Sequence, residues 1–172
     1  PTAEEAAALT SEIAAQRALP AVTLQVVREA AAKGAPPIDA LRLACASLSL
    51  DLADPNAITP AADLTAAKML VARFPTVVAA HARFKAGKEP IAPRADLSLA
   101  ANFLYMLSGE EPDPIVARAL DTYWVTVIDH GIIGGKYVST GYAHQSRIIV
   151  HRGQRVKQGQ QIGRASCRER VS

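Results

Sequence analysis

The segment Leu99-Ala-Ala-Asn-Phe-Leu-Tyr-Met-Leu107 gives the clearest indication of the architecture of this chain. Its residues are apolar on almost every side of a helix, and a helix of that kind belongs deep inside a bundle of other helices. Asn102 is its strongly polar side chain, and a buried amide without a partner costs about 1–3 kcal/mol. We therefore expect Asn102 either to tie helices together or to contact a polar ligand.

The residues on the carboxyl side of this stretch predict another helix. Asp113 suits the N-cap position and Pro114 the first turn. The predicted apolar face carries Val116, Leu120, Tyr123, Trp124 and Val127. If no partner helix covers this face, it drives self-association. Residues 123–128 are also aromatic and β-branched, so a strand fits them as well as a helix does.

On the amino side, the pattern predicts four earlier helices. Thr2 and Glu5 form a capping-box signal for a helix to about Arg17, a second helix fits residues 22–33, and a third begins near Pro37. The predicted apolar face of the third helix carries Ile38, Leu41, Cys45 and Leu48. Asp63 is a candidate cap for the fourth helix.

The fourth helix is expected to bury Leu70, Val71, Phe74, Val77, Val78, His81 and Phe84. Pro75 is expected to kink it or to split it in two. His81 lies at the edge of this face, where a satisfied, partly buried imidazole is favoured over a metal ligand or a base. Residues 85–94 then form a solvent-facing connection, and Asp96 or Ser98 opens the helix of Leu99–Leu107.

Composition changes abruptly at Asp129-His130-Gly131. All 11 prolines precede this point. The residues up to Asp129 include 11 basic and 15 acidic ones, whereas 8 basic residues and one acidic residue, Glu169, follow His130. Seven of the 10 glycines also follow it, which is typical of strands and turns. The predicted fold class is therefore mainly α, with about six helices over residues 1–128 and a small β-hairpin or meander after them.

Several classes of function are disfavoured by composition. No apolar run reaches about 18 residues and no basic-then-apolar leader is present, so we expect neither a membrane span nor a signal peptide. Cys45 and Cys167 are far apart in the sequence, which indicates free thiols and a cytoplasmic location. The basic residues after 130 lack interleaved aromatic residues, so no nucleic-acid partner is expected.

The helical part resembles citrate synthase over roughly residues 1–123. The resemblance is carried by Pro36-Pro-Ile-Asp-Ala-Leu-Arg42, by Ala100-Ala-Asn-Phe-Leu-Tyr-Met-Leu-Ser-Gly-Glu-Glu-Pro-Asp-Pro114, and by Ala117-Arg-Ala-Leu-Asp-Thr-Tyr123 leading to Asp129-His130. It implies an all-helical homodimer that condenses acetyl-CoA with oxaloacetate or a related 2-oxo acid and requires no metal. This is an acyltransferase reaction in which the transferred acyl group becomes an alkyl group.

The same resemblance assigns His130 a catalytic role. The family's histidine at this position hydrogen-bonds the acetyl-CoA carbonyl while it becomes an enol, and a carboxylate removes the methyl proton. The resemblance implies that this carboxylate, a second histidine and the substrate-binding arginines come from sequence that this chain does not contain. We therefore expect a fragment without turnover.

The glycine-rich part resembles lysostaphin-like zinc endopeptidases over about residues 124–163. Val-Ile-Asp-His-Gly, Tyr142-Ala-His-Gln-Ser146 and the Gly-Gln-x-Val-x-x-Gly-Gln-x-Ile-Gly ending carry this resemblance. It implies a non-ligating catalytic role for His144, but the family's zinc-binding His-x-x-x-Asp and His-x-His motifs are missing from the sequence. Catalytic zinc needs three protein ligands, so no metal site and no hydrolysis are expected.

The last residues suggest an artefact of sequence assembly. Residues 162–171 resemble the translation of a common sequencing adapter, and both resemblances share Asp-His-Gly, where two unrelated sequence reads would join. The predicted organisation is a helical segment at 1–128, a β-hairpin segment at 129–163 and a disordered tail at 164–172, joined as a chimera.

Overall fold

The computed structural model describes residues 2–128, and beyond them the backbone of two short strands at 145–148 and 163–165. The first of these ranges forms six helices: α1 Ala3–Ala15, α2 Ala21–Ala32, α3 Pro37–Leu48, α4 Pro60–Lys85, α5 Leu99–Ser108 and α6 Pro114–Ile128. A turn of 3₁₀-helix, Ser49–Asp51, follows α3. The prediction of about six helices is confirmed, and no strand occurs within residues 2–128.

The starts of α1 and α5 follow capping signals of the sequence. The capping box of α1 is present, because the Thr2 amide donates to Glu5 Oε2 at 2.7 Å and the Glu5 amide donates to Thr2 Oγ1 at 3.2 Å. Ser98, not Asp96, caps α5 by accepting from the Ala101 amide at 3.1 Å.

The predicted cap of α4 is wrong. The helix begins at Pro60 because Thr59 Oγ1 accepts a hydrogen bond from the Ala62 amide at 3.2 Å. Proline suits the first helical position, where its missing N–H has no partner in the helix. Asp63 lies in the first turn of α4 instead, near the positive end of the helix dipole.

Pro75 does not split α4, which continues as one helix from Pro60 to Lys85. A proline inside a helix loses the bond to the carbonyl four residues earlier, and here that residue is Val71, which is 44% exposed. Residues on both sides of Pro75, including Ala72 and Thr76, are buried. Packing on both sides therefore keeps the helix together across the proline.

The core lies where α2, α3 and α4 meet. Val27, Ala44, Val77 and Ala80 are its buried members, and Leu19, Leu24, Leu41 and Phe84 pack around them. Two of the four buried members are alanines, so small side chains fill part of this core.

Two predicted faces are corrected by the burial pattern. The buried face of α3 carries Ala40, Ala44 and Leu48, whereas Ile38 is 56% exposed. Similarly, α5 buries Ala100, Asn102 and Met106, but its other large apolar residues are only half-buried. Apolar periodicity predicted Leu48 correctly, but it favoured large side chains and so missed Ala40 and Ala44, through which α3 also packs in the core.

The chain divides into two compact units, Pro1–Thr122 and Tyr123–Ser172. The sequence of residues 123–128 fits either a helix or a strand, and in the structure these residues are helical. In the second unit, the strands Gln145–Ile148 and Gly163–Ala165 pair antiparallel, with Ile148 opposite Gly163. Among the described helices, none is both long enough and apolar enough to cross a membrane.

Candidate functional site

The two histidines that the sequence singles out for catalysis, His130 and His144, lie outside the described residues, as does Cys167. The last described residue before His130 in the sequence is Ile128, where α6 ends. The structure therefore shows the helix that leads to His130, and the catalytic roles of both histidines stay predictions.

His81 is a structural imidazole, as expected. Its side chain is 1% exposed, and Nε2 lies 3.0 Å from the carbonyl oxygen of Ala35. A carbonyl only accepts, so Nε2 carries the proton in this hydrogen bond. The bond ties α4 to the turn between α2 and α3.

A buried cation that the sequence did not single out lies beside the connection between α4 and α5, which we call the strap (residues 86–98). Arg17 is 1% exposed, and its NH1 donates to the carbonyls of Arg94 at 2.6 Å and Leu97 at 2.8 Å. The carbonyl of Arg17 accepts from Thr76 Oγ1 at 2.9 Å. Arg17 thus joins the end of α1 to α4 and to the strap.

Asn102 holds the same strap from the other side. Its Oδ1 accepts the backbone N–H of Arg94 at 2.7 Å, and its Nδ2 donates weakly to Met106 Sδ at 3.7 Å. Asn102 is fully buried. Asn102 therefore ties α5 to the strap, whereas the sequence predicted that it would tie one helix to another or contact a polar ligand.

Arg94 is the centre of a more exposed ionic network. Its Nε donates to Asp96 Oδ1 at 3.0 Å, and NH2 contacts the other oxygen of that carboxylate. NH1 donates to Glu111 Oε2 at 2.8 Å, and the guanidinium lies 5.5 Å from the centroid of the Tyr105 ring. A second pair, Arg28 with Glu89, ties α2 to the strap at 2.7 Å.

Burial and these contacts shift the pKa values of Arg17, Arg94 and Asp96. Burial lowers the pKa of the Arg17 guanidinium below its ordinary value, and the charge of Asp96 partly opposes that shift. Hydrogen bonds from Arg94 lower the pKa of the Asp96 carboxyl, and hydrogen bonds to Asp96 and Glu111 raise the pKa of Arg94. The shifts of Arg94 and Asp96 both favour the charged form, whereas burial of Arg17 disfavours it.

A shallow cavity of about 230 Å³ lies between the strap and the helices behind it. Its lining is mostly apolar and includes Leu19, Leu24, Ala80 and Ile91. Within residues 2–128, no group of three or more His, Cys, Asp or Glu side chains is arranged to hold a metal ion. Most polar groups near the strap bond to the backbone or to one another, but the buried Nε of Arg17 has no hydrogen-bond partner among the described residues.

Sequence reasoning missed Arg17 and Arg94 because both belong to a residue type that is normally solvent-exposed. Arg17 stands just before the helix-ending Leu19-Pro20, and Arg94 ends a charged, proline-containing segment. Neither context separates a buried or bridging arginine from an ordinary surface one.

Comparisons with known proteins identify the relatives of the chain. The family model "Citrate synthase, C-terminal domain" matches residues 1–144. The chain is 44% identical over 134 residues to citrate synthase from Deinococcus radiodurans, covering 77% of this chain and 35% of that protein. It is 36% identical over 95 residues to 2-methylcitrate synthase from Mycobacterium tuberculosis, covering 55% of this chain and 24% of that protein.

Solved structures give the same result. Citrate synthase from Pyrobaculum aerophilum superimposes with a TM-score of 0.64 at 35% identity, covering 76% of this chain and 34% of that one. The chain thus spans about a third of the length of the first two curated relatives, from Deinococcus radiodurans and Haloferax volcanii. The family match crosses the expected junction at 129–131 and reaches residue 144. The comparisons give no support to a lysostaphin-like fusion.

Proposed function

Because the chain belongs to the citrate synthase family, we propose that it contributes to an acyltransferase that condenses acetyl-CoA with oxaloacetate or a related 2-oxo acid. The observation that carries the proposal is the family match over residues 1–144, which includes His130. Relatives named both citrate synthase and 2-methylcitrate synthase occur among the matches, which supports the class of reaction and leaves the acid open.

His130 is proposed to donate a hydrogen bond to the thioester carbonyl of acetyl-CoA. Removal of a methyl proton places negative charge on that oxygen, and a donor already in place stabilises the charge without reorganisation. The reaction also needs a carboxylate as the base, and we assign that role to no residue among 1–172. We therefore propose that residues 1–172 by themselves contact acetyl-CoA through His130 without turnover.

Three further proposals concern the oligomeric state, the cellular location and the segment boundaries of the protein. We propose a homodimer for the complete enzyme and a cytoplasmic location, which the free thiol of Cys45 supports. We also propose segments with boundaries at 1–128, 129–163 and 164–172, of which the first contains all six described helices. His144 keeps its alternative, endopeptidase-like role only as the competing assignment in the test below.

The test combines turnover with binding. Thiol release from acetyl-CoA in the presence of oxaloacetate is expected to stay at the level of a protein-free control. Acetyl-CoA is expected to shift backbone resonances in two-dimensional NMR spectra. His130→Gln should weaken these shifts, whereas His144→Gln, the matched control, should leave them unchanged.

Three results would contradict the proposal. Robust thiol release would show that the chain contains the base that we place elsewhere. Spectra that acetyl-CoA does not change would remove the substrate assignment. An effect of His144→Gln together with none of His130→Gln would transfer the role to the other histidine.

The exposed apolar face of α6 favours a second candidate function, a helical self-association module. Val116 is 53% exposed, Tyr123 is 59% exposed and Val127 is 44% exposed. Their spacing places them on one side of the helix. Such a face associates with other apolar surfaces in water.

A further inference from the structure

The strap forms one wall of the apolar cavity and is attached to the helices at each end of that wall. Residues 90–93 of the strap line the cavity on one side, and residues that include Leu24 of α2 and Ala80 of α4 line it on the other. The attachments lie immediately before this wall, at Glu89, and immediately after it, at residues 94–97. The two attachments differ in kind.

The attachment at residues 94–97 is made by buried side chains. Arg17 NH1 donates to the carbonyls of Arg94 and Leu97, and Asn102 Oδ1 accepts the backbone N–H of Arg94. Arg17 and Asn102 are both almost completely buried. If the strap moved away here, both side chains would lose partners that water could not readily replace, which makes opening at this end costly.

The attachment at Glu89 is made by exposed groups. The Glu89 carboxylate accepts two hydrogen bonds from Arg28, at 2.9 Å and 2.7 Å, and the two side chains are 74% and 46% exposed. Arg83 Nε donates to the carbonyl of Glu89 at 2.6 Å, also at the surface. Water can take over these hydrogen bonds, and exposed ion pairs contribute little to stability.

The backbone next to Glu89 permits movement. Gly87 has a positive φ of 69°, with nothing within 4 Å of an added Cβ, and glycine adopts this and other conformations at little cost. Beyond Glu89, Ile91 lies against the turn after α5, because a Cβ added at Gly109 would be 3.3 Å from Ile91 Cδ1. This contact is apolar and has no fixed direction, so Ile91 can slide along the turn.

We propose that the strap is a lid on the apolar cavity, which opens at Glu89 and turns about a fixed end at residues 94–97. Separation of the pair of Arg28 and Glu89 releases the opening end and uncovers the cavity wall that contains Leu24 and Ala80. Arg17 and Asn102 keep the fixed end in place. The motion needs no substrate and no catalytic histidine, so it is measured independently of the proposed function.

The test uses one cysteine reporter at each end of the lid. Ile91→Cys and Leu97→Cys each replace a half-buried side chain, in a chain whose Cys45 and Cys167 are replaced by Ser. The rate at which an aromatic disulfide reagent modifies each thiol measures the population that is open at that position.

Arg28→Gln removes the ion pair at the opening end. The modification rate of Ile91→Cys should then rise about two- to fivefold, as expected from the loss of one exposed pair. The rate of Leu97→Cys should not change.

Glu111→Gln is the matched control at the fixed end. It removes an exposed pair with Arg94, and both rates should stay the same because the bonds of Arg17 and Asn102 remain. Arg17→Met removes the buried donor, and it should raise the rate of Leu97→Cys at least tenfold.

An unchanged rate of Ile91→Cys in Arg28→Gln would overturn the proposal, as would an equal rise at both reporters, which would mean that the strap moves as one piece. A rise at Leu97→Cys in Glu111→Gln would also overturn it, because exposed pairs would then hold the fixed end. If Arg17→Met does not fold, Arg28→Gln and Glu111→Gln decide, since both replace exposed side chains.

Discussion

At the scale of single residues, His81 combines complete burial with one hydrogen bond, from Nε2 to the carbonyl of Ala35. His81→Ala would leave that carbonyl unpaired and open a cavity, so we expect the free energy of unfolding to fall by about 2–4 kcal/mol. His81→Gln, whose amide also donates, should cost less. Urea denaturation measures both, and an alanine variant as stable as the parent would show that the bond is dispensable.

Asn102 and Arg17 show what single residues reveal in a sequence and what they conceal. Asn102 is recognisable because it is polar within an apolar stretch, and burial of an amide demands a partner. Arg17 is equally buried, yet nothing in its neighbours indicates this, because its partners are carbonyls of Arg94 and Leu97, far away in the chain. Long-range backbone acceptors leave no local pattern.

At the scale of elements, Pro75 tests how α4 tolerates a break in its hydrogen bonds. Pro75→Ala would restore an N–H that can donate to the carbonyl of Val71, so we expect the variant to be more stable by about 1–3 kcal/mol. Pro60→Ala is the matched control, because the N–H at the first helical position has no partner in the helix. Thermal unfolding followed by circular dichroism measures both. A loss of stability in Pro75→Ala would mean that packing depends on the shape that the proline gives to α4.

Helix starts were more predictable than helix faces. Local side-chain hydrogen bonds mark the start of α1 at Thr2 and Glu5 and the start of α5 at Ser98. Such bonds depend on neighbouring residues alone. The buried face of α3 depends on which helices approach it. For that reason the small Ala40 and Ala44 are buried, whereas the large Ile38 is exposed. Neighbouring helices are set by the whole fold and cannot be read from one helix.

The apolar face of α6 yields a prediction about association. The unmodified chain is expected to self-associate, and replacing Val116, Tyr123 and Val127 by Gln should lower its mass in multi-angle light scattering, because Gln removes apolar surface and still favours a helix. Replacing Leu50, Ile58 and Leu64 by Gln controls for loss of exposed apolar area elsewhere, since these residues are 73%, 93% and 57% exposed. A monomeric parent chain, or an equal effect of both triple variants, would contradict the role of α6.

At the scale of the whole molecule, the change in composition after residue 128 and the helical packing before it suggest that residues 1–128 fold without the rest. The central helix α4 contacts α1, α2, α3 and α5, so most helices share one core. A chain that ends at Ile128 should therefore unfold in one cooperative transition at the same urea midpoint as the full chain. A chain that ends at Ser98 removes the buried Asn102 and Met106 of α5, and it should lose cooperativity. The slope of the transition scales with the surface exposed on unfolding. A shallower slope or a lower midpoint in the chain that ends at Ile128 would therefore show that residues 129–172 stabilise the helices.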